Sequence, residues 1–389
     1  MTGQHGGHAF VRDNYEVGPW ESHKGQLPLK PNHVTIAEIL QKKGYRTGAF
    51  GKWGLGRVGS SGDPLKQGFD RFFGYNCQRH AHNLFPKYLI DDSEERVLEG
   101  NDRGLTGQKY APQEIAEEML KFVEANKEAP FFLYYPTVIP HLPLQVPEED
   151  LAQYKGQWEE TAYNGKSYLP HPTPRSAYAA MITFMDTQIG RLMKKLKDLK
   201  IDDNTIVLFT SDNGTTFLKD QVDYEFFESV GKLKGLKGSV YEGGIRVPLI
   251  VRWPGMIEAN SSSDHISAHY DTLITLAEIA GAPVDVKHDG ISYLPTLIGG
   301  DQKEHDYLFW DFVGYGGQLA MRKGDWKAVK RDLKKNPKAK TEIYHLASDP
   351  GETKNLAAEQ SAKVIEFEQM MLNAREEPEM LKFRFGKYE

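Results

Sequence analysis

Polar residues suited to binding an anion and a divalent cation recur along this 389-residue sequence. Asp212 and Asn213 lie in the segment "SDNG", and their side-chain oxygens are hard ligands suited to calcium or magnesium. Lys52, in "GKWG", and Lys237, in "GLKGS", offer point charges to sulfate or phosphate oxygens. His141, in "PHLP", can donate a proton or a hydrogen bond to a leaving oxygen. Together these types predict an anion site beside a metal.

Each of these residues also has a simpler interpretation. An isolated Asp-Asn-Gly is most often a turn, and a single lysine is most often a solvated side chain. A histidine between two prolines can simply cap a loop, and "YEGGIRVP" alone indicates a tight bend before a strand. What favours a site is the shared position of these residues at the ends of predicted strands, where open α/β sheets bind ligands.

The elements that must position these residues alternate between helix and strand. Helical spacing of apolar residues and short apolar runs give the following predicted elements. The helices are residues 35–43, 112–126 and 176–199 and the segment "DTLITLAEIAG", and the strands are residues 46–50, 131–135 and 205–209 and the segment "VPLIVRWPG". This alternation predicts an α/β fold with a large mixed, mostly parallel sheet flanked by helices.

The pattern changes near residue 300. The segments "YLFWDF", "QLAMRKGDWKAVK" and "TEIYHLASDP" resemble hairpin strands, and a helix is predicted from about residue 363 to residue 375. The sequence therefore predicts a catalytic-type α/β domain over residues 1–300. A smaller C-terminal subdomain, an antiparallel sheet plus a helix, follows over residues 301–389.

Bulk composition excludes several classes of protein. The formal net charge of −6 argues against a general nucleic-acid binder. Cys77 is the only cysteine, so no disulfide can form within the chain. No apolar run is long enough to span a bilayer, and no signal peptide is recognised at residue 1.

Several longer motifs resemble a known family in order along nearly the whole chain. They are "GKWGLG", "GFDRFFGY", "PHLPL", "LFTSDNG", "LKGSVYEGGIRVPLIVRWPG", "DGISYLPTLIGG" and "IYHLASDPGETKNLA". These blocks resemble the type I, formylglycine-dependent sulfatases, in a bacterial arylsulfatase-like variant. That family belongs to the alkaline-phosphatase-like superfamily. The resemblance implies this superfamily's fold, hydrolysis of an aryl or carbohydrate sulfate ester, a sulfated small molecule or sulfated glycan as partner, and a periplasmic or secreted location.

The resemblance also implies a mechanism and a cofactor. A Cys or Ser in a C/S-x-P-S-R motif becomes formylglycine, whose hydrate attacks sulfur beside a calcium ion, with magnesium the less favoured metal. By matching motif, Asp212 and Asn213 would bind the metal. Lys52 and Lys237 would contact the sulfate and the leaving oxygen, and His141 would bind the sulfate and assist the leaving group.

One departure from the family concerns a histidine. Many members read Gly-Lys-Trp-His-Leu-Gly in the first block, whereas this sequence has Gly54 at the histidine position. His80 or His82, in "NCQRHAHN", is our hypothesis for the group that fills this gap or contacts the substrate. In an extended chain only one face of this segment would turn inward. The alternative is that both are surface histidines on a loop.

A second departure concerns the nucleophile. The sequence contains no C/S-x-P-S-R motif and none of the paired aspartates expected before it, and Cys77 is followed by Gln-Arg-His. The opening "MTGQHGGHAF" resembles the turn and strand that follow the nucleophile, with His5 or His8 facing the site. We therefore expect a chain that lacks the first strand, the paired aspartates and formylglycine. Such a chain binds calcium weakly and has no sulfatase turnover.

Two alternative functions remain open from the sequence. One is a phosphate or phosphonate ester hydrolase of the same superfamily. The block "KGSVYEGGIRVP" favours a sulfatase over this alternative. The other is a non-catalytic protein that uses Lys52, His141 and Lys237 to hold a sulfated glycan.

Overall fold

The chain, described by a computed structural model over residues 1–18 and 25–388, folds into two compact units. Unit 1 consists of Met1–Asp13, Ile206–Phe217 and Tyr224–Glu389, and unit 2 consists of Asn14–Thr205 and Leu218–Asp223. None of the helices in the described residues is long and apolar enough to cross a membrane.

A five-stranded mixed sheet forms the centre of unit 2. Its strands are β1 (Arg46–Lys52), β2 (Arg71–Tyr75), β3 (Tyr88–Asp91), β4 (Glu94–Val97) and β5 (Phe131–Tyr134), in the order β4-β3-β2-β1-β5. β1 pairs in parallel with both β2 and β5, whereas β2, β3 and β4 pair antiparallel. The parallel part predicted from the sequence therefore comprises three strands, with an antiparallel hairpin at one edge.

The described residues of unit 2 contain the three helices that apolar periodicity predicted and one short α-helix that it did not. They are α1 (Ile36–Lys42), α2 (Ala111–Ala125), the short α3 (Glu148–Leu151) and α4 (Pro174–Asp198). Thr35 caps α1 in a capping box with Glu38. The apolar face of α2 packs on β1, where the Phe50 and Phe122 rings lie 5.4 Å apart. These contacts hold the end of β1, and with it Lys52, in a fixed place.

Unit 1 contains two antiparallel sheets. A two-stranded pair joins β6 (Val207–Thr210) to β7 (Leu249–Arg252), and a four-stranded sheet contains β8 (Leu308–Phe312), β9 (Gln318–Lys323), β10 (Trp326–Lys330) and β11 (Glu342–His345). Its helices are α5 (Glu242–Ile245), α6 (Asp271–Ile279), α7 (Leu294–Ile298) and α8 (Ser361–Asn373). The hairpin strands and final helix predicted after residue 300 are thus present.

Contacts in unit 1 join residues on both sides of residue 300, where the sequence predicts a subdomain boundary. Val240 and Tyr241 share a buried cluster with Ala320, Val329 and Tyr344 of the four-stranded sheet. Because this apolar cluster joins residues from both sides of that boundary, the four-stranded sheet belongs to the same compact unit as the segment that carries Lys237. In the same unit, β6 and β7 pair with each other, antiparallel.

Candidate active site

Lys52 is the last residue of β1, at the carboxyl end of the parallel strands of unit 2. Its backbone N–H donates to the carbonyl of Pro136, 2.8 Å away, just beyond the end of β5. The same segment continues to His141, whose N–H donates to Val138. The fold of unit 2 therefore places Lys52 beside the segment that leads to His141, as strand ends in a parallel sheet require.

The ring of His141 has a defined tautomer. Its Nδ1 lies 2.6 Å from the carbonyl oxygen of Leu142, and because a carbonyl oxygen can only accept, Nδ1 carries a proton. The neutral ring then has a bare Nε2, and Nε2 can donate only when the ring is an imidazolium. A role of His141 as a donor to an anion consequently requires the protonated ring.

His80 and His82 lie in a single 3-10 turn rather than an extended strand. His80 is 2% exposed and packs between Tyr75 and Tyr88, with ring centroids 5.3 and 4.6 Å away. His82 is half-buried and stacks on His141, with centroids 5.3 Å apart and ring planes 12° from parallel. The structure thus brings His82, not His80, to His141. A substrate role for either remains a prediction, and burial disfavours it for His80.

Gly54 has a backbone conformation that favours glycine over residues with a side chain. Its φ of +138° lies in the region that L-residues rarely adopt. A Cβ built there has open space, with Gln26 Oε1 the nearest atom at 4.0 Å. The backbone itself, rather than crowding, therefore favours glycine at this position.

In unit 1, two loops hold the predicted metal ligands and Lys237. The turn after β6 carries Asp212 and Asn213, and the loop before α5 carries Lys237. Backbone hydrogen bonds join them: the N–H of Gly214 donates to Gly244 at 3.0 Å, and the N–H of Lys237 donates to Thr215 at 2.8 Å. These two bonds fix Lys237 beside the turn that carries Asp212.

Lys237 and Asp212 are close enough for their charges to interact. Burial lowers the pKa of Lys237, and the negative charge of Asp212 acts in the opposite direction. The Asp212 carboxylate is exposed, and no donor among the described residues forms a hydrogen bond to it. With the amide oxygen of Asn213, it offers two hard oxygens, fewer than the six to eight that calcium takes. The donor chemistry fits calcium as part of a coordination shell.

A buried ion cluster behind α5 was not foreseen from the sequence. The Lys327 ammonium lies 2.8 Å from Glu242 Oε1 and 2.9 Å from Glu352 Oε1. The other carboxylate oxygen of Glu352 accepts the N–H of Glu242, the first residue of α5. The sequence feature that could have indicated this cluster is Lys327 itself, a charged residue within the otherwise apolar centre of the strand "WKAVK".

The N-terminal histidines lie against Asp289. His8 Nδ1 is 2.8 Å from Asp289 Oδ1, and the N–H of His5 donates to Asp289 Oδ2 at 2.9 Å. The two imidazole rings stack with centroids 4.2 Å apart, and His5 is only 6% exposed. Burial lowers the pKa of His5 to about 4. These contacts anchor the first residues of the chain within unit 1.

The sequence and the fold match known proteins across most of the chain. A family model described as Sulfatase matches residues 8–282, and one described as N-sulphoglucosamine sulphohydrolase, C-terminal, matches residues 236–377. Human arylsulfatase A is 30% identical over 86% of this chain and 68% of its own length. Dog N-acetylgalactosamine-6-sulfatase is 30% identical over 76% of this chain, which spans about half (54%) of that protein.

A solved structure extends the match to the fold. Ps i-CgsB, in complex with k-i-k-neocarrahexaose, has a TM-score of 0.77 and 25% identity, covering 100% of this chain and 82% of its own. This likeness confirms the predicted mixed α/β fold with a separate antiparallel sheet. The first family model includes Lys52, His141, Asp212, Asn213 and Lys237 within its range. The chain belongs to the sulfatase family.

Proposed function

We propose that this chain provides the anion-binding and metal-binding residues of a sulfuric ester hydrolase that acts on carbohydrate sulfates. The observation that carries the proposal is the sulfatase family match over residues 8–282, which contains all five candidate residues. A carbohydrate substrate is supported by the dog relative, named as an N-acetylgalactosamine-6-sulfatase, and by the neocarrahexaose complex. A periplasmic or secreted location is part of the same proposal.

Each unit carries a cationic residue suited to binding sulfate oxygens. In unit 2 it is Lys52, at the end of β1, and in unit 1 it is Lys237, beside Asp212; each acts as a point charge. His141 contributes when its ring is protonated, because Nδ1 is committed to Leu142 and only the imidazolium offers an N–H at Nε2. In that form it donates to a sulfate oxygen or to the oxygen of the leaving alcohol.

Asp212 and Asn213 are the residues that would hold calcium. Their carboxylate and amide oxygens have the hard-ligand chemistry that this ion takes, and the Asp212 oxygens are not used by described donors. When bound, the ion supplies positive charge that orients and polarises a sulfate ester. The backbone bonds from Gly214 and Lys237 hold the turn in place.

No residue of the printed sequence is assigned the role of nucleophile. The 389 residues contain no C/S-x-P-S-R motif, so we derive no covalent step through formylglycine. A second candidate function is that the same cationic residues hold a sulfated glycan without cleaving it. The two candidates share the binding step and differ in turnover.

A calorimetric titration tests the binding step that both candidates require. The 389-residue chain is titrated with N-acetylgalactosamine 6-sulfate, with the sugar lacking sulfate, with inorganic sulfate and with inorganic phosphate. We expect sulfated ligands to bind and K52M to weaken them roughly tenfold or more, the usual effect of losing a charged hydrogen bond. K43M removes an exposed lysine of the same unit and is the matched control. Equal binding of the sulfated and unsulfated sugars contradicts the proposal, and preference for phosphate supports the phosphate-ester alternative.

A further inference from the structure

Three rings of unit 2 meet at His141. His82 stacks on it with centroids 5.3 Å apart, and Tyr168 lies edge-on to both rings, 5.2 Å from His82 and 6.0 Å from His141. The interplanar angles of 66° and 78° between Tyr168 and the two histidines make a corner rather than a stack. All three side chains are half-buried, so part of each ring remains accessible.

The loop that carries Tyr168 is organised by its own hydrogen bonds. Tyr163 and His171 exchange two backbone bonds of 2.9 and 3.0 Å, which close the loop at its base. The phenol oxygen of Tyr163 accepts the N–H of Ser167 at 2.8 Å and, more weakly, that of Tyr168 at 3.4 Å. Tyr163 is 5% exposed, so this acceptor is fixed inside the loop.

A second set of contacts holds the tip of the same loop. Gln221 Nε2 donates to Ser167 Oγ at 3.2 Å, and the Lys166 ammonium lies 3.9 Å from Asp220. Both partners belong to the segment Leu218–Asp223, which is part of unit 2. The position of Tyr168 beside the histidines is therefore held from inside the loop and from its flank.

A corner of this kind matches the shape and polarity of a sugar. One face of a pyranose ring presents C–H groups, which pack on aromatic rings, while its hydroxyls project from the edge toward polar groups. His141 supplies the cationic donor in the proposed function, and Tyr168 and His82 supply apolar ring surface next to it. Inorganic sulfate, which has no C–H face, gains nothing from this surface.

We propose that Tyr168 and His82 form the contact surface for the sugar ring of the sulfated substrate, and that Tyr168 determines the preference for a sulfated sugar over free sulfate. This inference rests on the proposed function, because it takes His141 as a sulfate-binding group. It assigns binding selectivity to the loop Tyr163–His171, a segment without a matched family motif in the sequence.

The test compares two ligands on the full 389-residue chain. Affinity for N-acetylgalactosamine 6-sulfate and for inorganic sulfate is measured by calorimetry for the unmodified chain, Y168A and Y168F. We expect Y168A to weaken the sugar ligand roughly 3- to 10-fold, the usual range for one aromatic contact, and to leave sulfate binding unchanged. Y168F keeps the ring and should bind like the unmodified chain. Y45A, a half-buried tyrosine immediately before β1 and so at the opposite end of that strand, is the matched control.

The outcomes separate this inference from the proposed function. If the sugar-to-sulfate affinity ratio of Y168A equals that of the unmodified chain, the inference is wrong while the proposed function stands. If the unmodified chain binds neither ligand, the proposed function is wrong, and the inference with it. Thermal unfolding of each variant reports whether the fold is retained. Should Y168A lose its loop structure, Y168L keeps apolar bulk without the ring: a lower sugar-to-sulfate affinity ratio than in Y168F supports a ring contact, and an equal ratio contradicts it.

Discussion

The ammonium of Lys327 lies 2.8 Å from the carboxylate of Glu242 in the interior of unit 1, where their side chains are 0% and 4% exposed. Glu352 approaches the same ammonium at 2.9 Å and also accepts the N–H of Glu242. Because Glu242 begins α5, five residues after Lys237, this cluster fixes the backbone that follows a candidate sulfate-binding residue. A buried charge in β10 thus supports the loop that carries Lys237, far from it in sequence.

Removing the central charge of this cluster should destabilise the protein strongly. K327M leaves Glu352 buried without its counter-charge and leaves Glu242 only the guanidinium groups of Arg246 and Arg322, 3.9 and 4.0 Å away. Breaking a buried ion pair in this way costs about 3–5 kcal/mol. Urea denaturation measures the free energy of unfolding. The matched control is K323M in neighbouring β9, whose partner Glu366 is solvent-accessible, so we expect a loss below about 1 kcal/mol. Similar small losses in both variants contradict a stabilising role for the cluster.

A methyl group at Gly214 should disturb the predicted calcium ligands. A Cβ at this position would lie 1.9 Å from the carbonyl oxygen of Gly243 in α5, so G214A must move the turn that holds Asp212 away from α5. We expect less stabilisation by calcium in G214A than in the unmodified chain, measured as the shift in melting temperature. G190A is the control, because a Cβ there meets nothing within 4 Å and alanine favours the helix α4 by about 0.5–1 kcal/mol. An unchanged calcium response in G214A contradicts the assignment.

Calcium itself should bind weakly and through Asp212. Two oxygen ligands are a partial shell, so we expect a melting-temperature shift only at high calcium concentration, with a smaller shift for magnesium. D212N removes the charged ligand and should abolish the shift, whereas D301N, at an exposed aspartate of the same unit, should keep it. A shift that survives in D212N places the ion elsewhere.

The chain of 389 residues should release no sulfate. None of its residues lies in a C/S-x-P-S-R motif, and the single cysteine, Cys77, is buried with its pKa raised by that burial, so its reactive thiolate form is disfavoured. The measurement is sulfate and nitrophenol release from 4-nitrophenyl sulfate at high enzyme concentration. Turnover that survives in C77S and is lost in K52M would show that another residue acts as nucleophile.

Local patterns predicted the helices and strands because each depends on neighbouring residues. The capping box Thr35–Glu38 and the apolar stripe of α4 act over one or a few turns, so their signals are continuous in the sequence. The candidate residues were predicted in the same way, because they directly follow the predicted strands. The bond between Lys237 and Thr215 joins residues 22 positions apart, and no local pattern encodes it.

The parts that sequence did not predict depend on distant packing. Val240 packs in one cluster with Ala320 and Val329, about 80 or more residues further along the chain, and only the tertiary structure reveals this contact. The prediction of which histidine, His80 or His82, turns inward assumed an extended chain, whereas the segment is a 3-10 turn. Tyr168 has no signal of its own, since its place depends on the bonds within its loop.

The two histidines of the 3-10 turn should respond differently to substitution. H82A removes a half-buried ring beside His141 and should weaken binding of a sulfated sugar with little effect on stability. H80A removes a buried ring packed between two tyrosines and should cost roughly 1–3 kcal/mol of stability, like other core truncations. Calorimetric titration and urea denaturation separate the two effects. Full sugar affinity in H82A would remove that residue from the site.

The stability of unit 1 should fall as the pH drops from about 6.5 to about 4, partly through His5. Burial lowers the pKa of His5 from 6.5 to about 4, so the unfolded chain takes up a proton in this range that the folded chain does not. The stabilising contribution is therefore complete above pH 6.5 and lost as the pH falls, by roughly 3 kcal/mol at most. Burial alone would raise the pKa of Asp289, yet the hydrogen bond from His8 and the nearby His5 lower it overall, so this carboxylate is protonated only below that range.

H5N offers Gly7 an amide oxygen in place of Nδ1 and should flatten the dependence of unfolding free energy on pH, measured in urea between pH 7 and pH 4.5. Burial also lowers the pKa of His171 and His265, so a residual slope is expected in H5N, whereas an unchanged slope contradicts the role of His5.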